Sequence, residues 1–319
     1  MAILFPSCLR RRSDAGPKLL LTASLTATPG STPPPPTRRI VPQGEMGAGE
    51  RYTPAMPYVP VEGAELWYSD SGGAGPAVVL VHGAAGHSGC WVEQIPAFAG
   101  AGFRVIAYDL RGFGRSRAQP GQEAAGSIAG DLEAMAGRLG LGPFFLVAQA
   151  YGGFGAFEFA ADNTRSLRAL VVSTSFGGIS DPEFTALRDR LVPADVRTRP
   201  VEERELGATY RAANPEGVRR FLAMESHSYR GDGARQALRA PLTWERVARI
   251  SVPAMLVAGE EDVLAPPPVM RAIAEHIPGC RFEVIPGAGH CAYWEQPAAW
   301  NRVVIDFLTA VAAAPKNGA

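Results

Sequence analysis

Three stretches of this sequence carry residue types that could do chemistry, and a fourth lacks one where it would be expected. Gly259-Glu260-Glu261-Asp262 puts a carboxylate just past the apolar run Pro253–Ala258. Gly287-Ala288-Gly289-His290 puts an imidazole past Arg281–Ile285, with Glu295 and Pro297 following. Carboxylates and imidazoles are the usual groups for positioned proton transfer. His82-Gly83-Ala84-Ala85-Gly86 follows Ala77–Val81, and its small residues leave backbone N–H groups free to face a developing oxyanion. Ala148-Gln149-Ala150-Tyr151-Gly152-Gly153 has small residues two before and two after Ala150, as a sharp nucleophile-presenting turn requires. Its apex should carry a hydroxyl, thiol or carboxylate, and here it carries a methyl. Taken singly, each stretch reads equally well as a loop charge or an ordinary strand-to-loop or strand-to-helix turn.

These stretches need a sheet to bring them together. From Tyr52 onward, apolar runs alternate with helical patterns, the mark of a mainly parallel α/β sheet. Ala64–Asp70 alternates apolar and polar residues. Ala77–Val81, Arg104–Tyr108, Phe144–Ala148, Leu167–Ser173, Pro253–Ala258 and Arg281–Ile285 read as the remaining strands. Gly126–Leu139, Phe154–Ala161 and Ala298–Val311 read as helices. Between Thr174 and Arg249 no buried strand is legible, and Pro193, Pro200, Pro215 and Pro241 punctuate a charged, helical composition. The expected organisation is an α/β core over 51–175 and 250–315, with a helical cap over 176–249 inserted between core strands. Asp109-Leu110-Arg111-Gly112-Phe113-Gly114-Arg115-Ser116 reads as a tight loop whose charges pin it, not as a catalytic pair.

The segments VLVHGAAG, YDLRGFGRS, VAQAYGG, VAGEEDVLAPP and IPGAGHCAYWEQP, in this order over Val59–Ala313, together resemble the α/β-hydrolase superfamily of the AB hydrolase-1 type. The resemblance implies His290 as general base, Asp262 as its orienting acid, and the Ala84 and Tyr151 N–H groups as the oxyanion hole. It places Ala150 at the nucleophile position, where the sequence departs from the family. Relatives with aspartate at that position, such as haloalkane dehalogenase-like enzymes, are excluded too.

Loss of one triad member leaves the oxyanion hole and binding in place. Four readings follow. His290 activates water directly in a hydrolytic or carbon–carbon-cleaving enzyme. The His290–Asp262 dyad serves a base-catalysed lyase, isomerase or cofactor-free oxygenase. The pocket binds a small ligand without chemistry. Or the alanine is an engineered replacement of serine. No other residue is well placed as nucleophile: Cys291 adjoins His290, Ser88 and Cys90 lie beyond the oxyanion loop, and Ser173 and Ser175 end a core strand. Trp91, His87 and Trp294 are the leading candidates to contact substrate, with Tyr151, Phe176, Phe221 and Tyr229 as further aromatic liners. His276 reads as a surface-helix residue and His227 as a solvated residue of the cap. The interval from Thr174 to Arg249 holds thirteen arginines against eleven acids, which announces no anion site.

Composition narrows the partners. The 319 residues are 46% hydrophobic and 19% charged, and Lys+Arg and Asp+Glu both number 31. That balance suits a sizeable core and argues against a nucleic-acid or membrane-surface partner. A small-molecule substrate and a monomer or homodimer are expected. No Gly-rich phosphate loop or metal set is present, so no cofactor is implied. The four cysteines form no CxxC pair, in keeping with free thiols in a reducing, cytoplasmic setting. Residues 1–50 are arginine-rich and hold Pro33-Pro34-Pro35-Pro36. They read as a disordered leader, either a cleaved targeting segment or sequence preceding a true start at Met46.

Overall fold

The computed structural model describes residues 57–229 and 235–314. The leader expected over 1–50 lies outside the described residues. In chain order the strands are β1 (Tyr58–Val61), β2 (Ala64–Asp70), β3 (Ala77–Val81), β4 (Arg104–Tyr108), β5 (Arg117–Ala118), β6 (Phe144–Gln149), β7 (Leu167–Ser173), β8 (Ala254–Gly259) and β9 (Arg281–Ile285). The helices are α1 (Gln94–Gly100), α2 (Ile128–Arg138), α3 (Tyr151–Asp162), α4 (Pro182–Leu191), α5 (Val201–Glu205), α6 (Ala208–Ala213), α7 (Pro215–Glu225), α8 (Trp244–Val247), α9 (Pro267–Ala274), α10 (Ala292–Glu295) and α11 (Pro297–Ala313).

One sheet runs β1-β2-β4-β3-β6-β7-β8-β9, with β5 paired to β2. The pairs among β1, β2, β4 and β5 are antiparallel, and all pairs from β4 through β9 are parallel. The parallel strands are continuous apolar runs because both faces are covered. Alternate residues feed two cores, as the period of a strand dictates. Val79, Ile106, Leu146, Val172 and Leu256 pack against Leu132, Phe157 and Met270 of α2, α3 and α9. Leu80, Val105, Phe145, Val171 and Met255 pack against Phe98 of α1 and Trp300 and Phe307 of α11. The expected α/β fold with a mostly parallel sheet flanked by helices is what the structure has. Strands β1 and β5 and helices α1 and α9 are additions to the sequence reading.

The register brings every chemistry-bearing loop to one edge. Val81 pairs with Ala148, Gln149 with Ser173, Ser173 with Val257, and Gly259 with Ile285. The loops that follow these five strands therefore leave the sheet side by side at its C-terminal edge, where such folds bind ligands.

Helices α4 to α8 lie between β7 and β8. Their starts are built from the expected breakers: Asp181 accepts from Phe184 N at 2.8 Å ahead of Pro182, and Asn214 accepts from Gly217 N at 2.8 Å ahead of Pro215. The insertion touches the edge loops at Gly114 N→Ser228 O, 2.7 Å, and Cys291 N→Glu205 O, 2.9 Å. Among the described residues no helix is long and apolar enough to cross a membrane.

Phe157 of α3 is fully buried between the sheet and Gly177. Phe157→Ala is expected to destabilise the fold by about 3–5 kcal/mol, read as a lower urea midpoint at unchanged slope.

Candidate active site

The turn at position 150 is a single residue long. β6 ends at Gln149, α3 begins at Tyr151, and Ala150 between them has φ 45° and ψ −113°. An L-residue in that conformation carries about 1–3 kcal/mol of strain and holds it only when its surroundings over-determine it. Here they do. Ala150 N donates to Ser173 O at 3.0 Å, and Ala150 O accepts from Gly153 N at 2.9 Å and Ser175 Oγ at 2.7 Å. A Cβ on Gly152 would lie 2.7 Å from His82 O and 2.8 Å from Val81 O, so only glycine lets α3 start this close to the end of β3. On Gly83 a Cβ would run into Gln149 Oε1 and reach within 3.0 Å of the Ala150 methyl. The Gly83-Ala84 loop therefore lies directly against the elbow.

His82 fixes that loop and takes no part in proton transfer. Its Nε2 accepts from Leu110 N at 2.9 Å, which leaves Nδ1 to donate to Gly83 O at 2.8 Å. Burial pushes its pKa down to about 4, so it stays neutral. No described residue accepts from the Ala84 or Tyr151 N–H. Tyr151 N is one of the first amides of α3, which have no partner inside the helix. Both amides are thus left without a partner among the described residues, one in the loop that lies against Ala150 and one at the helix start that follows it.

His290 and Asp262 meet. His290 Nδ1 lies 3.0 and 2.9 Å from the two Asp262 oxygens, and both side chains are buried. Asp262 Oδ1 also accepts from Leu264 N at 2.7 Å and Ala265 N at 2.9 Å, so its carboxylate cannot swing. With Nδ1–H committed to Asp262, Nε2 is the nitrogen left for chemistry. Gln149 Nε2 donates to His290 O at 3.1 Å and to Thr174 Oγ1 at 3.2 Å, tying the histidine loop to the elbow strand. This residue sat inside a quoted motif with no role assigned to it.

Burial alone would lower the His290 pKa. The facing Asp262 charge, its hydrogen bond and the carboxylates Glu205 and Glu295 outweigh it and raise the group to about 9. Glu295 is itself buried and accepts from Gly207 N at 2.8 Å and Gly289 N at 2.9 Å. Desolvation raises it to about 7 against those hydrogen bonds. Gly289 has no room for a side chain, since Leu206 and Gly207 press directly on it.

The remaining sequence candidates separate from this centre. Trp91, expected to contact substrate, is fully buried in the core, with ring centroids 4.5 Å from Tyr293 and 6.0 Å from Trp300. His87 caps the one-turn helix Ser88–Trp91 by accepting from Gly89 N at 3.0 Å. Trp294 packs edge-on against Phe221 of α7 at 5.8 Å. Asp109 holds Ser88 N at 2.6 Å and Arg115 N at 2.7 Å, and Arg111 pairs with Asp131 at 2.7 Å, both as loop braces. Ser173 Oγ accepts from Trp300 Nε1, and Ser175 Oγ is spent on Ala150 O. Burial raises the Cys90 thiol to about 12 and Cys291 well above its usual value, so neither is a ready thiolate. His276 stacks on Trp244 at 3.8 Å, and exposed His227 bonds Ala223 O at 2.9 Å. The residue that sequence reasoning missed is Arg235, whose guanidinium carbon stands 5.3 Å from the Tyr151 ring. Among the described residues no three His, Cys, Asp or Glu side chains converge as a metal site.

Because the folded pKa of His290, about 9, exceeds the ordinary 6.5, its ion pair stabilises fully below pH 6.5 and is lost as pH rises through 9. The Tm is expected to fall over that window, by an amount equivalent to at most about 3 kcal/mol. His290→Gln should flatten the slope there, while Glu295→Gln should flatten only the separate fall between pH 4.5 and 7.

The alpha/beta hydrolase fold family matches residues 76–297. The chain is 27% identical over 283 residues to a 2-hydroxy-6-oxononadienedioate/2-hydroxy-6-oxononatrienedioate hydrolase of Burkholderia vietnamiensis, covering 77% of this chain and 92% of that one. It is 26% identical over 288 residues to bifunctional epoxide hydrolase 2 of Sus scrofa, where 74% of this chain spans only 52% of the relative. Among solved structures, a thermophilic esterase from Thermogutta terrifontis superposes with a TM-score of 0.66 at 30% identity, covering 78% of this chain and 94% of that one. With more than half of its length matched by the family and the sheet, elbow and histidine loop in their places, this chain belongs to the α/β-hydrolase fold family.

Proposed function

We propose that the chain is a hydrolase of a small, partly apolar carbonyl compound that works without a covalent intermediate. His290, oriented by Asp262, removes a proton from water at Nε2. The resulting hydroxide attacks the substrate carbonyl in the space that the small Ala150 methyl leaves. The Ala84 and Tyr151 N–H groups hold the oxyanion. The imidazolium then returns its proton to the leaving group. The observation that carries this reading is the coexistence of a strained, fully braced elbow at Ala150 with an oriented His290–Asp262 pair. A pocket kept only for its shape needs neither. Likeness to an esterase and to a hydrolase of 2-hydroxy-6-oxo acids supports a carbonyl-bearing substrate.

A base must be deprotonated to act, and His290 holds its proton up to about pH 9. Across a panel of aryl and alkyl esters and vinylogous diketones, kcat/KM should rise with pH and level off near 9. Asp262→Asn should move that limb toward 6.5, because the charge that raises His290 is gone. His290→Ala should lower kcat about 10²–10⁴-fold. A chain that binds these compounds yet turns over none, with His290→Ala changing binding alone, would be a ligand-binding protein instead.

The elbow is tested separately. Ala150→Ser should be labelled by a fluorophosphonate probe in a His290-dependent manner, while the native chain stays unlabelled. An unlabelled Ala150→Ser protein that folds normally would refute a preserved elbow and oxyanion site.

A further inference from the structure

Among the described residues, no carboxylate pairs with Arg235 of the insertion. Its Nη1 is buried and makes no hydrogen bond. Its guanidinium carbon lies 5.3 Å from the ring of Tyr151, 5.7 Å from Phe113 and 5.4 Å from Tyr229. Aromatic faces attract a guanidinium, but they accept none of its N–H bonds. Arg235 as a whole is half-buried, but a guanidinium nitrogen shut away from water without an acceptor is a cost that a folded chain ordinarily avoids.

The surroundings hold this residue in place. Its neighbour Gln236 donates to Ala125 O at 3.1 Å and to Asp131 Oδ2 at 2.9 Å, and Gln236 O accepts from Tyr151 Oη at 2.9 Å. The backbone beside Arg235 is thereby bolted to the Arg111–Asp131 pair and to the residue after the elbow. The buried carboxylates on this side are already committed. Asp131 serves Arg111 and Gln236, and Asp109 serves two amides. The local field is positive: Arg197 is held below the usual arginine value by burial first, then by Arg188, Arg204 and Arg235.

We propose that Arg235 binds a carboxylate of the substrate, making the preferred substrate a small aromatic or aliphatic acid whose carbonyl lies at the elbow and whose carboxylate meets the guanidinium group, drawing the unpartnered Nη1 into the pairing as it seats. A carboxylate supplies the two oxygens that a guanidinium fork takes side by side. The aromatic rings of Phe113, Tyr151 and Tyr229 flank the apolar part next to it. The assignment deepens the hydrolytic reading and rests on it for the position of the carbonyl, but the anion site itself can be measured by binding alone.

The test uses ω-phenylalkanoates of two to six carbons and their primary amides, titrated calorimetrically into the full chain at low and moderate salt. At least one acid should bind ten-fold or more tighter than its amide, with the preference shrinking as salt rises. Arg235→Met should abolish the preference, Arg235→Lys should keep part of it, and His290→Ala should keep all of it. Both Arg235 variants should melt no lower than the native chain, since neither breaks a hydrogen bond of Nη1. Equal binding of acids and amides, no binding of either series, or an undiminished preference in Arg235→Met would overturn the proposal. A preference that persists in a chain with no turnover leaves the anion site standing and counts against hydrolysis only.

Discussion

Gly152 has its Cα so near the carbonyls of Val81 and His82 that no side chain fits between them. That contact decides where α3 can begin, and with it the conformation of Ala150. The helix must start within one residue of β6, so the connecting residue must turn through φ 45° whatever its side chain. The same closeness puts the Gly83-Ala84 loop against the elbow. Strain at position 150 is therefore a property of the packing of β3, β6 and β7 and does not depend on which side chain stands there.

The electrostatics are organised on the other loops. Asp262 is locked by three N–H donors, two of them backbone, and His290 is locked by Asp262. Glu205 and Glu295 stand behind this pair, and Glu295 is itself held by amides from both the histidine loop and the insertion. The result is an imidazole surrounded by carboxylates, which prefers to be charged at neutral pH. An ordinary triad would balance part of that preference through a hydroxyl on the other nitrogen. With a methyl at position 150, no such hydroxyl comes from that position.

Much of this was legible in the sequence for simple reasons. The buried parallel strands announce themselves as apolar runs, and five turns in register at their ends identify the edge that carries the site. His290, Asp262 and Ala150 stand out in the sequence because each follows its own strand. What sequence could not give were roles set by packing across large separations. Trp91 looked like a pocket wall and lies in the core, because aromatic residues do not declare which face of a loop they occupy. Gln149 looked like filler between two alanines, yet it joins the elbow to the backbone of residue 290. Arg235 was one arginine among thirteen, and only the absence of an acceptor around its Nη1 singles it out.

The joint at Gly289 has a consequence for how this site can be altered. Leu206 and Gly207 of the insertion press on Gly289 with no side chain between, and Glu295 clips the amides of Gly207 and Gly289 together. Residues 205–209 and 287–295 thus form one machined fitting shared by the scaffold and its insert. A recombinant exchange of the insertion alone would mate a foreign surface to the loop that carries His290, and would shift that imidazole from Asp262. Chimaeras that carry both segments across as a matched pair keep that alignment.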